Sequence, residues 1–172
     1  MLKWSLFVLF SLFLLSLGTA LYGWPATVME IRLGNGEILF REPVPEGWSF
    51  TSRIIHSLER TPVEDEYRVV CGRIWQWQER FRSNNAGLPT VAPSNGRFLS
   101  SPVWFVLQGG RNRWQLLDYR VGTSSLGRNV LALEGYGSFA LFERLAGERI
   151  QFKPGSAALG AIPPVLNLVD FR

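Results

Sequence analysis

Hydrophobic and polar positions change rhythm sharply along this chain. From Trp4 to Met29 no charged residue occurs, and apolar side chains run almost unbroken as far as Leu17. Behind that stretch the pattern turns to alternation in short runs cut by Gly and Pro. Thr27 to Leu33 and Glu37 to Arg41 flank Gly34-Asn35-Gly36, whose residues accept positive φ, and this predicts a β-hairpin. Pro43, Pro45 and Gly47 then break the regularity. Trp48 to His56 restores it, with Trp48, Phe50, Ser52, Ile54 and His56 on one face.

Ser57 to Glu66 reads as a connection, because Pro62 interrupts a hydrogen-bonded ladder and charged residues gather there. Alternation returns from Glu66 to Phe81, with Gly72 marking a turn or bulge. Trp75, Trp77, Glu79 and Phe81 fall on one face of that run; Gln76, Gln78, Arg80 and Arg82 fall on the other. Ser83 to Gly96 is a long loop of binding-loop character. The apolar run Val103 to Leu107 predicts a strand covered on both sides, or one beside a membrane. Shorter strands are expected at Trp114 to Val121, Asn129 to Leu133, Phe139 to Arg144 and Glu148 to Phe152. A closing strand is expected at Val165 to Phe171.

No segment after the first sustains a 3.6-residue apolar period. The expected fold class is therefore all-β: a single sandwich or barrel-like domain of short antiparallel strands over residues 27–172. An N-terminal helix over residues 1–26 precedes it. Lys3 followed by the apolar run and Gly18-Thr19-Ala20 suits a cleaved signal peptide. Continuation through Leu21, Tyr22 and Trp24 suits a retained transmembrane anchor with interfacial aromatics. Both readings deliver the domain to the outer side of the membrane, anchored and facing the periplasm or secreted to the periplasm or cell surface.

Composition adds three constraints. Cys71 stands alone, so no internal disulfide can form, and its apolar neighbours predict a small buried side chain. At 47% hydrophobic and with 7 Trp, the chain has material for an apolar core instead. The net charge of +4 comes from scattered residues, nearly all of them Arg. Scatter and export together exclude nucleic acid as a partner, while Arg60, Arg80 and Arg82 remain available to a carboxylate such as that of an organic acid.

Ionisable chemistry concentrates around His56, the only histidine, with Glu59, Glu64, Asp65 and Glu66 following it and Glu79 beyond. Imidazole titrates near neutrality, and these carboxylates could orient it or share a cation. A catalytic zinc commonly takes three protein ligands and often more than one His. Ser57 beside His56 faces away from it on a strand, and no nucleophile elbow is present. The residues therefore assign no catalytic group, no metal site and no cofactor. An apolar pocket with a few directed polar groups, formed by Trp75 and Trp77 with Glu79 on one face and by Asn84 and Asn85 in the loop that follows, is the binding alternative.

His56-Ser57-Leu58-Glu59-x-Thr61-Pro62-Val63-x-x-Glu66, followed by Ser83-x-x-Ala86-Gly87-Leu88-Pro89, resembles two linked motifs of the bacterial domain of unknown function 1850 family. Asn85 stands where that family carries Gly. The resemblance implies a small exported or membrane-attached protein, often encoded beside fused permeases of TAXI-type tripartite ATP-independent periplasmic (TRAP) transporters. The motif positions His56, Ser57, Glu59, Thr61, Pro62, Glu66, Ser83, Asn85, Gly87, Leu88 and Pro89, together with Glu79, are the candidate binding residues. The expected function is a non-enzymatic accessory that binds the permease, the solute-binding protein or the solute. The alternative is a hydrolase or metal-dependent enzyme centred on His56 and the nearby carboxylates.

Overall fold

The computed structural model describes residues 2–83 and 87–168. Helix α1 (Leu2–Tyr22) comes first and is followed by β1 (Pro25–Leu33), β2 (Ile38–Pro43), β3 (Ser49–Ile55), β4 (Pro62–Val70) and β5 (Arg73–Phe81). Then come β6 (Gly96–Ser100), β7 (Phe105–Gly109), β8 (Arg113–Trp114), β9 (Leu117–Arg120), β10 (Val130–Leu133) and β11 (Gly137–Ala140). One helical turn, α2 (Leu141–Arg144), leads into β12 (Arg149–Ala158), a 3-10 turn (Leu159–Ala161) and β13 (Val165–Leu166). All pairings are antiparallel and form two sheets. Sheet A has the order β13-β2-β1-β12-β9, and sheet B has β11-β10-β3-β4-β5-β7-β6 with β8 on β5.

The expected all-β class holds, because alternation supplies each sheet with one apolar face. Met29, Ile31, Phe40, Ile150 and Phe152 of sheet A and Phe50, Val69, Ile74 and Leu131 of sheet B are all wholly or almost wholly buried in one cluster. Phe50 stacks on Phe152 across the gap with ring centroids 4.9 Å apart, so the sheets pack face to face as a sandwich. Val63, Phe81 and Leu107 form a second, smaller cluster further along the inner face of sheet B.

The hairpin around Gly34-Asn35-Gly36 forms as expected, with Gly36 at φ 93. Other expectations give way to neighbours distant in sequence. Glu64, Asp65 and Glu66 lie inside β4 and not in a connection, and Pro62 opens that strand opposite Ile55, a position where its missing N–H costs nothing. Cys71 is exposed, because it forms with Gly72 a two-residue turn at φ 50 and 65. Trp75 and Trp77 do not share a face with Glu79. Glu66 pairs with Gln78 and Tyr67 with Gln76, so Trp77 is bulged out of the ladder and the alternation reverses there. Val103 is 55% exposed and precedes β7, so the apolar run is not a strand covered on both sides.

The strand expected at Phe139 to Arg144 ends at Ala140, where Leu141 and Leu145, four residues apart, bury on one side of α2. Strand β12 continues through Pro154, because beyond Phe152 it has no partner on its β9 side. In α1 the side chains described are those of Trp4 and residues 6–22. Counted over described residues, no helix is long and apolar enough to cross a membrane.

Candidate functional site

The turn from β3 to β4 is built by the motif residues themselves. The His56 amide donates to the Thr61 carbonyl at 2.8 Å, and the Arg60 amide donates back to the His56 carbonyl at 3.0 Å, with Arg60 left-handed at φ 55. The Glu59 amide donates to His56 Nδ1 at 3.3 Å. That bond uses Nδ1 as the acceptor, the role of a ring nitrogen that carries no proton. The Glu59 carboxylate then accepts from Ser83 Oγ at 2.8 Å. This contact ties the first motif to the loop carrying the second. Arg60 Nη1 donates to the Ser125 carbonyl at 3.0 Å and fastens the turn to the loop between β9 and β10.

Held by these bonds, Leu58 points outward at 77% exposure. Beside it His56 and Ser57 help line an open cavity of about 640 Å³, with Val121, Thr123, Leu126 and Asn129 on the far wall. Asn129 is buried, and its Oδ1 accepts from the Gly122 amide, which shapes that wall. Gly122 and Gly127 touch so closely that a Cβ on Gly122 would collide with the Gly127 carbonyl. Leu126, at 52% exposure, gives the cavity an outward apolar side chain.

The other motif residues take different places. Leu88 packs against Val63, Phe81 and Leu107, closing the end of sheet B that sheet A leaves uncovered. Gly87 turns the chain at φ 79, and Pro89 lines a second cavity of about 280 Å³ with Glu79. Glu66 faces outward, accepting from Arg68 at 2.9 Å and Gln78 at 2.9 Å. Thr61 contributes its carbonyl, while its hydroxyl is buried without a hydrogen-bond partner. Asn85 and its neighbour Asn84 lie outside the described residues.

The structure brings Glu79 together with groups that sequence reasoning did not select. Ser52, Asp65, Glu79 and Leu107 stand in register across four strands of sheet B. This row forms a polar seam between the two apolar clusters. Asp65 accepts from Gln76 at 2.8 Å, and Asn112 donates to Gln76 at 3.1 Å. Tyr119 of sheet A reaches toward Ser52 and Asp65, but its buried hydroxyl makes no hydrogen bond of ordinary geometry.

Burial, reinforced by the negative charge of Asp65, pushes Glu79 up to about 7. Burial also raises Asp65, against the opposing effect of the Gln76 hydrogen bond. The hydroxyls of Tyr67 and Tyr119 are raised first by burial, with Asp65 adding to both. Glu64, Glu66 and Glu30 each face arginines instead. The signal that could have revealed the seam is the sequence of three acids at 64–66, whose middle member shares its strand face with the apolar Val63, Tyr67 and Val69.

His56 and Glu79 line different cavities, and Glu59 meets His56 through its backbone alone. Among the described residues, no group of three or more His, Cys, Asp or Glu could hold a metal ion. Of the three arginines considered for carboxylate binding, Arg60 is engaged by Ser125 and Arg80 by Glu64. Arg82 stacks 5.0 Å over Trp104, the ring that Arg80 also covers. The family model described as "Domain of unknown function (DUF1850)" matches residues 50–136, a span holding the turn, the seam and the motif loop. No curated protein and no solved structure matches the chain.

Proposed function

The chain belongs to the DUF1850 family, whose model covers half of it, and from that premise we propose a membrane-associated accessory of a TAXI-type TRAP transporter. It is non-enzymatic, faces the periplasm, and docks on the permease or the solute-binding protein through the β3–β4 turn. One observation carries the reading. Five hydrogen bonds fix the turn to itself and to two other loops, while the apolar Leu58 is held out in solvent. Leu58 itself stays out of the core, and a rigid apolar anchor beside a concave wall is what a docking surface requires. Helix α1, apolar and exposed along its described length, supports attachment to the inner membrane by a retained anchor.

Co-purification tests this reading. The full chain, solubilised in mild detergent with a TAXI-type permease and its solute-binding protein, is expected to retain one of them. Leu58→Asp is expected to release it without loss of fold. Wild-type protein that retains neither would end the proposal.

A second reading keeps an enzyme in view, because Glu79 exchanges its proton near neutrality and lines an open cavity. A hydrolase or metal-dependent enzyme centred on His56 would need that residue and Glu79 to act on one substrate. Turnover of ester, glycoside or phosphoester libraries that is abolished by both His56→Ala and Glu79→Gln would favour this reading over docking.

A further inference from the structure

The outer face of sheet A carries a feature that neither motif touches. Arg41 of β2, Glu30 of β1 and Lys153 of β12 stand in one register row, and Arg32 follows Glu30 two residues on. Ala161, Ile162 and Pro163 join this row in lining an open cavity of about 300 Å³. Three cations and one carboxylate line it. Glu30 is fully engaged, accepting from Arg32 on one oxygen and from Arg41 Nε and Nη2, at 2.8 and 2.6 Å, on the other. The positive excess is therefore left without a counter-charge inside the cavity.

Donors are also left over. Arg32 Nε is buried and has no hydrogen-bond partner. The Lys153 side chain makes no hydrogen bond or ion pair to another described residue, and Ser156 lines the same space. Gly155 between them places no side chain over the floor, and a Cβ there would meet nothing within 4 Å. A buried guanidinium N–H without an acceptor is costly. Guanidinium and ammonium groups converging on an open floor match the geometry of an oxyanion with several equivalent oxygens.

The cavity's position indicates where such an anion comes from. Its wall follows directly on the 3-10 turn that holds the end of α1. The Leu159 amide donates to the Trp24 carbonyl at 2.9 Å, and the Tyr22 ring fills the place a side chain at Gly160 would take. Val28, Ile162 and Pro163 give the cavity an apolar margin. We propose that this cavity binds the phosphate group of an anionic phospholipid at the foot of α1, fixing how the sandwich sits on the membrane. The lipid as carrier rests on the membrane reading of α1, whereas docking to a transporter is not required.

The test uses the full chain in neutral detergent, titrated with short-chain phosphatidylglycerol, with phosphatidylcholine of equal chain length, and with inorganic phosphate. Binding is read by native mass spectrometry and thermal shift. This readout needs neither a bilayer nor a transporter, so its failure is distinguishable from failure of the docking proposal. Phosphatidylglycerol is expected to bind in preference to the other two. Lys153→Gln should weaken it about fivefold, the effect of one basic residue at an anionic lipid surface. Arg113→Gln on β8 removes the same charge from the other sheet and should leave binding unchanged. Equal losses in the two variants, no loss in Lys153→Gln, or saturation by inorganic phosphate with no further affinity for lipid would each overturn the assignment.

Discussion

Replacing Glu79 by Gln is expected to stabilise the protein, and the gain should depend on pH in a defined direction. Glu79 stands at about 7 against an ordinary value of 4.5, raised by burial and then by Asp65. Between those two values the unfolded chain has released this proton while the folded chain still holds it. Stability from this group is therefore full below about pH 4.5, falls as pH rises through the folded value, and is flat above it. At ~1.4 kcal/mol per pH unit the whole difference would be ~3 kcal/mol. The side chain opens onto a cavity, so solvent screening reduces the expected effect to about 1–2 kcal/mol.

Urea unfolding of wild type and Glu79→Gln at pH 5, 6, 7 and 8 measures it. Only the difference between the two proteins counts, because Asp118 and Glu134, both lowered by hydrogen bonds from Arg149 and Ser49, act in the opposite sense at acid pH. The variant should gain over wild type from pH 5 to 8 and reach about 1–2 kcal/mol. A constant difference across that range, or a variant less stable at pH 8, would refute the argument that an uncompensated carboxylate pair lies in the seam.

Three further outcomes follow from the same geometry. Ser83→Ala removes the donor to the Glu59 carboxylate and should cost about 1 kcal/mol, with faster hydrogen exchange at the amides of residues 57–60. Leu88→Ala strips the cover from Val63, Phe81 and Leu107 and should lower stability by about 1–2 kcal/mol, checked by denaturant midpoint at unchanged slope. Cys71, exposed in its tight turn, should react fully with a maleimide in the native state, and protection until urea is added would place it elsewhere.

Much of the fold was legible because its decisive signals are local. Gly34-Asn35-Gly36 states its own turn, and the alternation from Trp48 into β3 names Trp48, Phe50 and Ser52 as inward. The motif turn was found as a stretch, but its internal bonding could not be read, since Glu59 reaches His56 through its backbone amide and the turn closes with Arg60 in a left-handed conformation. What remained hidden depends on partners far along the chain. The acids at 64 and 66 are compatible with a strand only because Arg80, Gln78 and Arg68 face them. One bulged residue, Trp77, reverses the face of everything before it, and no composition rule marks it. The seam joins Asp65, Glu79 and Tyr119 from three strands, so no single window of sequence contains it. Leu88 is apolar in a polar loop, and that contrast was the one clue to its role as a plug.

The docking claim is tested most directly by placing a photo-crosslinking amino acid at position 58 of the full chain in native membranes that contain the transporter. Leu58 is the outward tip of the braced turn. The account predicts an adduct with the permease or the solute-binding protein, lost when Ser83→Ala loosens the turn. Illumination that yields no adduct with either protein, while the chain is folded and membrane-associated, would contradict it.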